Sequence, residues 1–142
     1  MEFSTFKASK SEEIKQLFTK VFSDSEGEAE GKLIGNLTYD IMTGTDAKDL
    51  YGFVATENEQ IVGSIFFTRL TFENGVSIVL TYGDLNFYSK VGFKLITEKI
   101  VKAPLKLTYP EGWLAQSLLG DEIEPIAGNS YCVEAFNKPE IW

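Results

Sequence analysis

Leu50-Tyr51-Gly52-Phe53-Val54-Ala55-Thr56 is followed, after Glu57-Asn58-Glu59-Gln60, by a run from Ile61 to Phe72 and then by Val76 to Tyr82. All three runs are rich in β-branched and aromatic residues, so each reads as a strand. Glu57 to Gln60 supplies the first turn. Asn74-Gly75 supplies the second, and it is a strong hairpin signal, because a type I′ turn needs positive φ at both central residues. Both faces of the second hairpin are apolar, which predicts a central place covered on both sides.

The flanks add helices before this meander and irregular chain after it. Glu2 to Ala8 reads as a first strand. Ser9 and Glu12 stand three apart, as in a capping box. Ile14, Leu17, Phe18, Val21 and Phe22 then mark one face of a helix. A second helix carries Leu33, Ile34, Leu37 and Ile41 on one side and ends near Gly44. After Tyr82 a short helix runs from Asp84 to Val91. Phe93 to Trp142 reads as two or three longer strands with loops around Pro104, Pro110 and Pro125. Tyr131, Val133 and Ala135 alternate as in a half-buried strand. The expected fold class is α/β in the α+β sense: two N-terminal helices and a mixed, largely antiparallel sheet of about five to six strands. Residues 1–142 form one expected domain.

Composition narrows the chemistry. The 142 residues carry a net charge of −8 and no histidine. The Ser-His-Asp triad, histidine general bases and nearly all zinc sites are therefore excluded, and no metal is expected. One cysteine, Cys132, excludes an internal disulfide and any CxxC motif. An acidic chain is not a generic binder of nucleic acid or anionic membrane. No apolar run approaches the roughly 18 residues of a membrane span, and the first residues lack a signal-peptide layout, so a cytoplasmic protein is expected. Charge is uneven: Lys90, Lys94, Lys99, Lys102 and Lys106 oppose Glu98 alone between residues 85 and 106. That stretch is either a solvated face or a patch for phosphates or an acidic partner.

The order of strand, two helices, meander, and a strand leading to a Phe-Tyr-x-x-x-Gly-Phe helix resembles the GNAT-type N-acetyltransferases, with their acyl-CoA N-acyltransferase fold. Tyr51-Gly52-Phe53-Val54-Ala55 and Gln60-Ile61-Val62-Gly63-Ser64-Ile65 look like that family's second and third strands. Tyr82-Gly83-Asp84 with Phe87-Tyr88-Ser89-Lys90-Val91-Gly92-Phe93 looks like its late strand and short helix. Ser25 to Glu30 and Glu134 to Glu140 are similar to a bacterial subgroup.

The resemblance implies a unit that this chain lacks. After its third strand the family has a fourth strand, a glycine-rich loop of the pattern Gln/Arg-x-x-Gly-x-Gly/Ala, and a long helix. That loop and helix N-terminus hold the pyrophosphate of acetyl-CoA. Here a deletion on the order of 30 residues falls near Ser77, and no Gly-x-Gly occurs in the sequence. No cofactor is therefore expected. Loss of the helix would uncover a sheet face, and a homodimer is expected to cover it.

The candidate residues each have two readings. By the resemblance Tyr88 is the general acid that protonates a departing CoA thiolate; otherwise it packs with Phe87 and Phe93. Glu26 and Glu28 lie in the acidic loop that would line the acceptor side of the cleft, or they favour a helix N-terminus. Tyr82 and Asp84 end a strand where ligands bind in open sheets, or Asp84 caps the next helix. Trp113 and Trp142 are core or interface residues. Three functions follow. The first is a non-catalytic dimeric ligand-binding or interaction module. The second is an N-acetyltransferase moving an acetyl group from acetyl-CoA to a small-molecule amine, with its site rebuilt across a dimer. The third is a folded remnant without a role.

Overall fold

A computed structural model describes residues 1–70, 78–120 and 122–142. The expected Asn74-Gly75 turn and the seam near Ser77 lie outside the described residues. The chain gathers into two compact units: Met1–Arg69 with Val133–Phe136, and Leu70–Cys132 with Asn137–Trp142.

The first unit lays two helices against a three-stranded sheet. Strand β1 is Glu2–Thr5, helix α1 Ser11–Glu26, helix α2 Glu28–Gly44, strand β2 Leu50–Glu57 and strand β3 Gln60–Thr68. The antiparallel order is β1-β2-β3. Helix α1 starts one residue later than the capping box predicts. Residues Ala8–Lys10 form a 3-10 turn first, and the Ser11 hydroxyl donates to the Ala8 carbonyl at 2.9 Å. No side chain caps α1.

The core of this unit joins Ile14, Met42, Val54 and Ile61, with Phe6, Leu17, Phe18, Tyr39 and Phe66 packed around it. Phe6 meets Phe66 edge to face at 5.3 Å. The buried stripe of α2 differs from the expected apolar one. Leu33 is exposed, and Gly31, Gly35, Thr38, Ile41 and Met42 are buried. Two glycines one turn apart let the α2 backbone close on α1. A Cβ on Gly31 would lie 2.5 Å from the Thr19 carbonyl oxygen and 2.7 Å from the Ser23 nitrogen.

Strands β2 and β3 join through Asn58 and Glu59, with φ of 51° and 64°, between the paired Glu57 and Gln60. Positive φ at both central residues is the type I′ signature. A register shift between Ala55 and Thr56 marks a bulge. Of the hairpin expected to be covered on both sides, strand β3 keeps one apolar face open. Val54 is buried, whereas Tyr51, Phe53, Ile65 and Phe67 of the opposite face are exposed. The helices of this unit cover one side only.

The second unit holds strand β4 Ile78–Tyr82, helix α3 Leu85–Tyr88, strand β5 Lys94–Leu95 and strand β6 Trp113–Ser117. Its antiparallel order is β4-β6-β5. Central β6 is the most deeply buried strand: Trp113 is 1% exposed and Leu114 and Ala115 are fully buried. Trp113 Nε1 donates to the Val101 carbonyl at 2.9 Å, and Trp142 packs edge to face on Trp113 at 5.8 Å. Both tryptophans are thus core residues. The two strands formed beyond Phe93 are shorter than expected. Strand β5 has two residues, and Glu134–Phe136, expected as strand, is a 3-10 turn of the first unit that packs on α2.

Two outcomes follow for stability. Gly31→Ala should lower the melting temperature: helix propensity favours Ala by about 1 kcal/mol, but overpacking costs about 1–3 kcal/mol, and here the clash is with backbone. Glu59→Gly should raise stability by about 0.5–1 kcal/mol, because it removes a side chain from a left-handed position. Thermal denaturation followed by circular dichroism reads both. A rise for the first variant, or a fall for the second, would contradict these packing assignments.

Candidate functional site

The corner after β4 collects three of the candidates. β4 ends at Tyr82, and Gly83 N–H donates to the Gly112 carbonyl at 2.9 Å. Asp84 is the N-cap of α3. Its Oδ1 accepts from the Asn86 backbone N–H at 2.8 Å and from Asn86 Nδ2 at 3.1 Å. This is the reading in which a short acidic side chain satisfies an orphan helix donor.

Helix α3 continues through a 3-10 turn, Ser89–Val91, and stops at Gly92, whose φ is 94°. Gly92 N–H donates to the Ser89 carbonyl at 3.2 Å and Phe93 N–H to the Tyr88 carbonyl at 3.3 Å. This pair of bonds is a Schellman motif, which an apolar contact between its two ends usually accompanies. Here that contact is Tyr88 against Phe93, ring centroids 5.6 Å apart. The spacing Phe-Tyr-x-x-x-Gly-Phe thereby acquires a structural meaning: glycine takes the left-handed position, and the two rings clamp the helix end.

Tyr88 is half-buried. Besides Phe93 it meets Phe87 edge to face at 5.2 Å, and a Cβ on Gly83 would sit 2.7 Å from its Cε2. Tyr82 is more fully committed. Its hydroxyl accepts from the Tyr109 backbone N–H at 2.7 Å, and its ring stacks on Trp142 at 6.0 Å.

Glu26 and Glu28 belong to the first unit. They flank Gly27, whose φ is 102°, at the junction of α1 and α2, and both are exposed. Glu28 and Glu30 stand in the first turn of α2, where acidic groups complement the helix dipole. The structure thus brings Tyr82, Asp84 and Tyr88 to one corner of one unit and leaves Glu26 and Glu28 on the other.

The basic stretch is partly tied down. Lys102 Nζ donates to Asn129 Oδ1 at 2.9 Å. Lys94 lines a groove of about 310 Å³ together with Leu95, Ile96, Thr97, Ile100 and Ile123. Sequence reading missed this groove, because Ile123 is far from the others along the chain. Displaced pKa values occur at ordinary surface pairs. The Lys10 hydrogen bond holds Glu13 below the usual carboxylate range, the Lys48 backbone N–H does so for Asp46, and the Tyr51 hydroxyl raises Arg69. Among the described residues no group of three His, Cys, Asp or Glu side chains could hold a metal ion, and no helix is long and apolar enough to cross a membrane.

The resemblance implies a glycine-rich loop opening a helix after β3. β3 ends at Thr68 and β4 begins at Ile78, so nine residues, 69–77, join them. A strand, loop and long helix take about 30 residues. The α-helix that follows, α3, is one turn long, and the Asp84 carboxylate occupies its N-terminus.

No protein-family model matches this sequence, and no curated protein matches it. Among solved structures, the GNAT family N-acetyltransferase YhbS from Escherichia coli, determined in complex with CoA, is similar. It superposes with a TM-score of 0.67 at 20% identity, over 96% of this chain and 92% of that one. Together with the two N-terminal helices, the antiparallel sheets and the short helix after β4, this likeness gives the chain the fold of the GNAT-type N-acetyltransferases.

Proposed function

We propose that this chain is a shortened GNAT-like relative that works without acetyl-CoA, as a dimeric, non-catalytic ligand-binding or interaction module of the cytoplasm. The observation that carries this reading is the nine-residue connection from β3 to β4. It leaves no length for the pyrophosphate loop and its helix. The residues present do not replace them. No Gly-x-Gly occurs in the sequence. The short helix after β4 offers a carboxylate at its N-terminus, which repels a phosphate. On this reading the Tyr88 ring is kept for the Schellman contact with Phe93. Tyr82 and Asp84 serve as a packing residue and a cap, and Glu26 and Glu28 are a solvated helix junction.

A second reading has one observation in its favour: the structurally similar YhbS was determined with CoA. On that reading the chain transfers an acetyl group from acetyl-CoA to an amine through a site rebuilt across a dimer, and Tyr88 is the candidate acid.

A thermal shift separates the two. A ligand that binds only the native state at a hundredfold excess over its dissociation constant adds about 2.7 kcal/mol. For a chain of this length that is a rise of roughly 10 °C. The melting temperature should stay unchanged with millimolar acetyl-CoA or CoA. A saturating upward shift with both would overturn the cofactor-free reading.

A further inference from the structure

The open face of β1-β2-β3 is apolar. Backbone register places Phe3, Ala55 and Gly63 in one row, Phe53 and Ile65 in the next, and Tyr51 and Phe67 in the third. Phe3 is 78% exposed, Ile65 52%, Tyr51 51%, Phe53 47% and Phe67 37%. No side chain of these rows is charged. The first row has a hollow, since a Cβ on Gly63 would meet nothing nearer than the Ala55 Cβ at 3.8 Å. The third row is bulky. Charge stands only at the two ends. Beyond the third row Arg69 Nη2 donates to the Tyr51 hydroxyl at 3.3 Å, and its Nε pairs with Asp49 at 3.3 Å. Glu57 stands beyond the first row.

We propose that a second copy of this chain covers this face, related by a two-fold axis that runs across the strands through the middle row. This deepens the dimeric reading above and rests on it. The axis reverses strand direction between copies and keeps strand over strand. Tyr51 then lies over Ala55 of the other copy, and Phe67 over Gly63. With the axis along the strands instead, the bulky third row would face itself. Shape therefore selects the first arrangement.

The area is adequate for a modest dimer. A fully exposed aromatic side chain offers about 200 Å², so the five exposed side chains present about 500 Å² per copy. Both copies together bury about 1,000 Å², near the lower bound of a specific interface. An uncharged face offers nothing to an oppositely charged partner, whereas a two-fold contact lets one patch serve twice.

Sedimentation velocity of the full chain without any CoA tests this. At about 200 µM, a concentration suited to micromolar affinity, a species of twice 15.9 kDa is expected. Phe53→Glu puts a charge into the middle row and should leave a monomer with unchanged circular dichroism. Ala55→Phe adds apolar surface yet fills the hollow, so it should weaken the dimer at least tenfold. A monomeric parent chain, or a dimer indifferent to Phe53→Glu, would refute the proposal. A dimer strengthened by Ala55→Phe would refute the interlocked rows. A thermal shift by acetyl-CoA on the Phe53→Glu monomer would remove the cofactor-free reading and leave the dimer in place.

Discussion

A pleated strand sends alternate side chains to opposite sides, and nothing in its backbone lets both sides share one cover. The sheet β1-β2-β3 obeys this on either side of its one bulge. Val54 and Phe66 turn toward α1 and α2, and Ile14, Met42 and Phe6 close over them. Phe53 and Ile65, one residue along, are forced the other way. Their exposure follows from register, which turns them away from α1 and α2. The helices themselves sit close because Gly31 and Gly35 omit the side chains that would hold them apart.

The second unit is organised from its centre outward. Buried β6 carries Trp113, which binds the Val101 carbonyl and supports Trp142. Trp142 supports Tyr82, whose hydroxyl fixes the Tyr109 backbone. The corner that resembles a catalytic one is thus also the edge of an aromatic core. A ring can serve catalysis only where part of it meets solvent, and of the two tyrosines here Tyr82 has its oxygen engaged by backbone.

Most of this fold was legible in the sequence, and the exceptions share a cause. Both helices were legible because a 3.6-residue period over four turns is hard to produce by accident. The buried side of α2 was misread because hydropathy ranks Leu33 above Gly31, while close helix approach rewards the absence of a side chain. Strand β3 was legible as apolar on both faces, but coverage depends on elements elsewhere, and alternation cannot report it. Tyr131 to Ala135 alternates over only three positions, too few to fix a strand. At the candidate corner, the Asp84 cap was readable from residue type. Tyr88 packing on Phe93 was one of two readings, but its meaning as a helix stop needed the φ of Gly92.

The return of Val133–Phe136 to the first unit has a consequence for how the protein is made. Synthesis runs from the N-terminus, so the Ile14, Met42, Val54 and Ile61 cluster can assemble once residues 1–69 have emerged. The 3-10 turn that packs on α2, with Ala135 buried, emerges more than sixty residues later. Closing so long a loop is slow relative to local contacts. During that interval the nascent unit shows water two uncovered surfaces, the place awaiting Ala135 and the open sheet face. Neighbouring chains on one messenger would expose the same surfaces at the same stage, so the interval is when misassembly between them is easiest.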